Sequence, residues 1–126
     1  MKKAKTTLTG QELEIMKVIW KLGPATVRKV YEDLLEHRKI AYTTVMTMMN
    51  ILETKGFLKK KQGEKAFVYA PSKPERQVLR AMVGEFVDRV FNGAAEPLLV
   101  HLVEDERLTA KELDEIRRTI SAGRKS

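Results

Sequence analysis

Tyr42-Thr-Thr-Val-Met-Thr-Met-Met-Asn-Ile-Leu-Glu-Thr-Lys-Gly56 is the stretch that decides how this chain folds. Within it Val45, Met48, Met49 and Leu52 recur at helical spacing and form one apolar stripe. Gly56 predicts the end of the helix, because glycine takes the left-handed conformation that follows many last turns. The opposite side carries Thr43, Thr47, Asn50 and Thr54, with Thr44 at its margin. An ordinary solvated helix face is charged. Short hydroxyls and an amide suit another task, since they can approach a base edge and donate or accept a hydrogen bond. Threonine also offers a methyl for the thymine methyl, and asparagine can bond an adenine edge in two places. Tyr42, Thr43, Thr44, Thr47 and Asn50 are therefore the candidate readers of duplex DNA. One of Thr43 and Thr44 is also expected to cap the helix start. The cluster of Met46, Met48 and Met49 reads as core and core margin.

Two helices are expected before this one. Thr9 and Glu12 form a capping box, and Leu8 with Leu13 a hydrophobic staple. That helix runs through Met16, Ile19 and Trp20 and stops near Leu22-Gly23-Pro24. Val27, Val30, Tyr31, Leu34 and Leu35 then make the apolar stripe of a second helix, which ends around His37-Arg38-Lys39. After Gly56 a β-hairpin is predicted, with Leu58 to Gln62 as one arm, Lys65 to Tyr69 as the other and Gly63-Glu64 at the turn. Pro71 closes the unit. Three helices and a hairpin in this order make a winged helix-turn-helix, whose third helix can enter the major groove. Lys59, Lys60, Lys61 and Lys65 lie on or beside the wing, where they would neutralise phosphates. A charged strand edge also discourages aggregation, and the two roles are compatible.

The charge distribution supports this division. Through residue 75 there are 15 lysines and arginines against 8 acids, whereas from residue 76 onward there are 9 of each. The whole excess of +7 thus belongs to the first part, as expected if only that part meets a polyanion. Cysteine is absent, which removes disulfides and thiolate metal sites and fits a cytoplasmic protein. His37, at a helix end, and His101, in an apolar run, do not make a zinc site. No phosphate-binding glycine loop, nucleophile elbow or paired carboxylates stand out, so an enzyme is not expected and no cofactor is implied. No apolar run is long enough to span a bilayer, and the basic start lacks the apolar segment of a secretory signal. The chain is read as two parts, a winged-helix domain over 1–71 and a helical region over 72–126.

The second part is a different kind of sequence. Ser72 and Glu75 suggest another capping box, with Pro74 in the first turn. Val78, Leu79, Met82, Val83, Phe86, Val87, Val90 and Phe91 follow as adjacent apolar pairs four residues apart, and Asn92-Gly93 ends the helix. This stripe is too wide for a helix covering one small core, and pairing with a second copy would bury it. A short apolar helix over Pro97 to Val103 is expected next. A last helix capped by Thr109 and Glu112 follows, with Leu113, Ile116 and Ile120 inward. The fold class is mainly α with a small hairpin wing. The function expected is that of a homodimeric repressor on a double-stranded DNA operator. The alternative is a winged-helix module that binds protein or RNA, against which the Thr/Asn face and the localised charge argue.

Several stretches resemble the penicillinase-repressor family, which also includes methicillin-resistance and copper-transport repressors of bacteria. They are Glu12-Leu-Glu-Ile-Met-Lys-Val-Ile-Trp20, Ala41-Tyr-Thr-Thr-Val-Met-Thr47, Leu52-Glu-Thr-Lys-Gly-Phe-Leu58 and Phe67-Val-Tyr-Ala-Pro71, and the match continues through Phe86 to Gly93 and Leu98 to Val103. The resemblance implies a homodimer that occupies palindromic operators near a promoter. In the antibiotic-responsive branch it also implies a membrane sensor with a zinc-protease domain, whose action leads to cleavage within the short helix of the pairing region. The corresponding bond here is His101-Leu102, where well-known members have Asn-Phe. The copper branch senses metal through C-terminal cysteines, which this chain lacks. An arginine common in the family's third helix is Ile51 here, which removes one backbone contact.

Overall fold

The computed structural model describes residues 8–125; the basic start of the chain lies outside them. The element order is α1 (Gly10–Leu22), α2 (Val27–Leu35), α3 (Tyr42–Thr54), β1 (Leu58–Gln62), β2 (Phe67–Pro71), α4 (Glu75–Phe91), α5 (Glu96–Glu104) and α6 (Ala110–Lys125). Mainly helical structure with one antiparallel hairpin agrees with the fold class read from sequence. Two compact units, residues 1–82 and 83–126, part inside α4. Among the described residues, no helix is long and apolar enough to cross a membrane.

Local chemistry sets the helix ends in the first unit. The Thr9 hydroxyl accepts from the Glu12 backbone N–H, and the Glu12 carboxylate accepts from the Thr9 N–H. This is the predicted capping box. Gly23, at φ 86°, ends α1. Thr26 caps α2 by accepting from the Lys29 N–H. At the end of α3 the Phe57 N–H donates to the Leu52 carbonyl and the Gly56 N–H to that of Glu53, while Gly56 takes φ 91°. This is a Schellman motif, and its apolar contact is supplied by Phe57 and Leu52, both buried.

The core forms where the helical stripes meet. Ile15, Met16 and Ile19 of α1, Val30 and Leu34 of α2, and Val45, Met49 and Leu52 of α3 are almost wholly buried, with Leu58 and Tyr69 closing the core from the hairpin. Val78 and Met82 extend it from the first turns of α4. In the hairpin, Gln62 pairs with Phe67 and Leu58 with Pro71. Ala25 and Tyr69 exchange both backbone hydrogen bonds, at 3.0 and 2.8 Å, so a single bridge adds a third edge to the wing. The Gly63 N–H donates to the Ala66 carbonyl, whose oxygen would lie 2.5 Å from a Cβ at position 63. A side chain there would force the turn apart.

Several local expectations change. Leu35 is exposed, because Leu34 takes the inward position and the chain then turns at Glu36. Lys65 lies in a four-residue turn, since pairing resumes only at Phe67. The Ser72 capping box does not form: the Ser72 N–H donates to the Phe57 carbonyl instead, and α4 starts at Glu75. Ile116 and Ile120 are about half exposed rather than inward. Thr109 and Glu112 do cap α6 reciprocally.

Glu12 was legible as a cap but has a second task. It is buried, and both its carboxylate oxygens accept from the Lys55 ammonium at 2.8 and 3.0 Å, which ties the start of α1 to the end of α3. Burial pushes the Glu12 carboxyl up, but the hydrogen bonds from Lys55 and Thr9 outweigh it and hold the group below the usual carboxylate range. A lowered folded value means that the stabilisation is full above the unfolded value of about 4.3 and is lost as pH falls through the folded one. Glu12→Gln is expected to cost about 2 kcal/mol at pH 7. In urea unfolding the gap between Glu12→Gln and the native chain should close as pH falls below about 4. A gap of constant size would show that the ion pair contributes nothing.

Candidate DNA interface

The two faces of α3 are separated as its sequence suggests. Val45, Met49 and Leu52 are buried and Met48 is half-buried, while Thr43, Thr47, Asn50 and Thr54 are exposed and Thr44 lies between. α3 begins after Ala41, which offers no side-chain cap. The expectation that Thr43 or Thr44 caps the helix is therefore overturned, because both lie inside the helix rather than at its Ncap. Met46 is 38% exposed, so the expected methionine cluster divides. Its position, one turn from Thr43 and Asn50, adds an apolar contact to the polar face. Ile51 is likewise exposed beside it. Thr47, Asn50, Ile51, Thr54 and Lys55 line an open groove of about 340 Å³ along the helix.

Tyr42 stands at the beginning of this face. Its ring meets that of Tyr31 on α2 edge to face, with centroids 5.4 Å apart. Contact with α2 holds one side of the ring while 39% of the residue stays exposed. The turn between α2 and α3 is tied down by Arg38, whose guanidinium donates to both Glu14 oxygens at 3.0 and 2.8 Å. These hydrogen bonds hold the Glu14 carboxyl below the ordinary range.

The wing lysines do not act as one group. Strand alternation puts Lys60 on the face of its partner Tyr69, and Lys59 and Lys61 on the other face with Ala70 and Val68. The Lys60 ammonium lies 4.7 Å from the Phe67 ring centroid and 5.9 Å from that of Tyr69. All three are exposed, as is Lys65 in the turn. Phe67 is 46% exposed at the far end of the hairpin, a large aromatic surface that its β-prone setting alone did not single out.

Tyr69 joins the wing to α3. Its ring is buried and its hydroxyl donates to the Asn50 Oδ1 at 2.8 Å. Burial, with the Glu53 and Tyr42 charges adding, pushes the Tyr69 hydroxyl up, so it remains a neutral donor at neutral pH. Sequence reading missed this role. An aromatic at an inward strand position reads as core, and only the packing of the wing shows where the hydroxyl ends.

The second unit carries the remaining candidates. Val83, Phe86 and Val90 are exposed on α4, while Val87 and Phe91 are half-buried. Val78 lies instead in the core of the first unit, with Met82 packed against that core and Leu79 half-buried. The stripe read as one pairing surface is thus divided along α4. His101 is exposed on α5 and Leu102 half-buried, and the His101 ring lies 5.9 Å from that of Phe91.

The profile of the penicillinase repressor family matches residues 8–122. The chain belongs to that family. It is 28% identical to the penicillinase repressor of Bacillus licheniformis over 109 residues, covering 86% of this chain and 85% of that one. It is 35% identical to the transcriptional regulator BlaI of Mycobacterium tuberculosis over 121 residues, covering 94% and 86%. The solved DNA-binding domain of the repressor BlaI superposes with a TM-score of 0.52 at 35% identity, over 60% of this chain and 90% of that one. The monomeric form of Bacillus licheniformis BlaI in complex with the blaP half-operator gives 0.50 at 35% identity, over the same shares.

Two substitutions separate base reading from phosphate binding. Thr47→Ala is expected to cost about 1 kcal/mol on a preferred duplex and little on an unrelated one. Lys61→Ala should weaken both alike and reduce the slope of log affinity against log salt by about 1. Fluorescence anisotropy over a salt series measures both. Equal losses on the two duplexes for Thr47→Ala would remove it from the reading face.

Proposed function

We propose that this protein is a transcriptional repressor that binds duplex operator DNA with α3 in the major groove and the lysine-bearing hairpin on the phosphates. The observation that carries this reading is the exposed Thr43, Thr47 and Asn50 face of α3, set opposite the buried Val45, Met49 and Leu52 and beside the wing. Membership of a repressor family and the relative bound to its half-operator support it. Selection of duplexes from a random pool by the purified full chain tests it. A recurring sequence, bound more weakly as salt rises, is the expected result. Binding indifferent to both sequence and salt would end the proposal. A protein of this kind works where the chromosome is, in the bacterial cytoplasm.

The protein acts as a homodimer in this reading. Among the described residues of the second unit none is buried, although Val83, Phe86, Val90, Leu99, Val100, Val103, Ile116 and Ile120 are large and apolar. Leu99, Leu113, Ile116 and Ile120 line an open apolar groove of about 470 Å³ between α5 and α6. A segment without buried side chains has little to offset the entropy of ordering its chain. A second copy would supply the missing cover, and the paired heads would then fit a palindromic site. Regulation by a cut at His101-Leu102, through a membrane sensor protease, is the route that the family resemblance suggests. The Asp105 and Arg107 N–H groups donate to the His101 and Leu102 carbonyls, so a protease would first have to unwind α5.

Ile116→Glu combined with Ile120→Glu is expected to leave the first unit folded and to make the chain monomeric by sedimentation equilibrium. Affinity for a palindrome should fall by about 100-fold or more, with half-site affinity unchanged. A native chain that sediments as a monomer at micromolar concentration would exclude this mode of pairing.

A further inference from the structure

An asparagine that pairs with adenine must donate through Nδ2 and accept through Oδ1 at once. The structure already engages one of the two lone pairs of Oδ1. The Tyr69 hydroxyl donates to it at 2.8 Å, and Tyr69 has little freedom to withdraw. The residue is 3% exposed, and its backbone N–H and carbonyl are both bonded to Ala25. Asn50 itself is exposed and lines the groove of α3. The amide is therefore held with Oδ1 towards Tyr69, and its nitrogen, with two donors, is turned away from that hydroxyl.

We propose that Tyr69 holds the Asn50 amide in one orientation, donors outward, and that Asn50 thereby favours guanine over adenine in the major groove. The inference rests on the DNA-binding role proposed above. Guanine presents two acceptors there, O6 and N7, whereas adenine sets a donor beside its single acceptor. An outward N–H donor suits either guanine acceptor, whereas it meets the adenine N6 group as donor against donor. Turning the amide to offer Oδ1 to adenine makes the Tyr69 hydroxyl accept from Nδ2 and deprives its own proton of the Asn50 acceptor at the edge of the core, which disfavours that orientation. Tyr69 is thus a positioning residue: it need not touch DNA, yet it sets which bases Asn50 accepts. The same bond keys the wing to the reading helix, so base choice by α3 depends on a residue of β2.

The test uses the full chain and a pool of random-sequence duplexes. The native protein, Asn50→Ala, Asn50→Asp and Tyr69→Phe are each taken through selection, and base preference is scored at every position of the enriched site. The native chain should enrich guanine at one position in each half-site, and Asn50→Ala should flatten that position alone. Tyr69→Phe keeps the buried ring and removes only the hydroxyl. It should free the amide and raise adenine against guanine at that position by about tenfold, with the other positions unchanged. Asn50→Asp replaces the outward donor by an acceptor and should move the preference towards cytosine or adenine. Adenine at the Asn50-dependent position of the native site would overturn the proposal, as would a Tyr69→Phe profile identical to the native one. A native chain that enriches no sequence would overturn the DNA-binding reading itself, and this inference with it.

Discussion

Tyr69 is held on three sides. Its backbone is bonded in both directions to Ala25, its ring is buried against the helices, and its hydroxyl reaches Asn50 on the exposed face of α3. A two-stranded hairpin is marginal by itself in water. Here the hairpin gains a third edge and an apolar anchor from one residue, and its lysines are placed beside α3 rather than left on a swinging loop. The lysine-bearing surface and the exposed face of α3 keep a fixed relation, which the proposed reading needs if phosphate contacts are to set the register for base contacts.

A second set of ties keeps α3 itself in place. Glu12 caps α1 and binds Lys55 just beyond the last turn of α3, while the Schellman turn at Gly56 leads directly into β1. Both features draw polar groups inward only where every partner is supplied, which makes them specific as well as stabilising. Lys55 is consequently a structural cation, set apart from the lysines of the wing although it is close to them in sequence. Counting basic residues along the chain gives the sign of the surface, but burial decides which of them face a ligand.

The two units differ in how their apolar residues are used. In the first, stripes from three helices and the hairpin close on each other, and Val78 with Met82 brings the start of α4 into the same core. In the second, apolar side chains from α4, α5 and α6 remain partly open to solvent. Under the proposed pairing, dimerisation completes the fold of the second unit and also sets the spacing of the two reading heads. A change that loosens the pairing then loosens the grip on DNA without touching α3.

The sequence by itself determined the helices, the reciprocal caps at Thr9 and Thr109, the hairpin and the two faces of α3. Those features depend on residues close together in the chain, where periodicity, turn and capping chemistry act through local geometry. It also carried the family, through motifs spread along nearly the whole chain. It could not divide the α4 stripe, because the same spacing of apolar residues serves a core and an interface alike. Nor could it place Met46 outside or Leu35 in solvent, since hydrophobicity says that a residue can be buried but not what covers it. The Glu12–Lys55 pair joins positions 43 residues apart, and the Tyr69–Asn50 bond positions 19 apart. Only the tertiary structure decided these contacts, because the chain must first close its core before such distant polar groups meet at hydrogen-bonding distance.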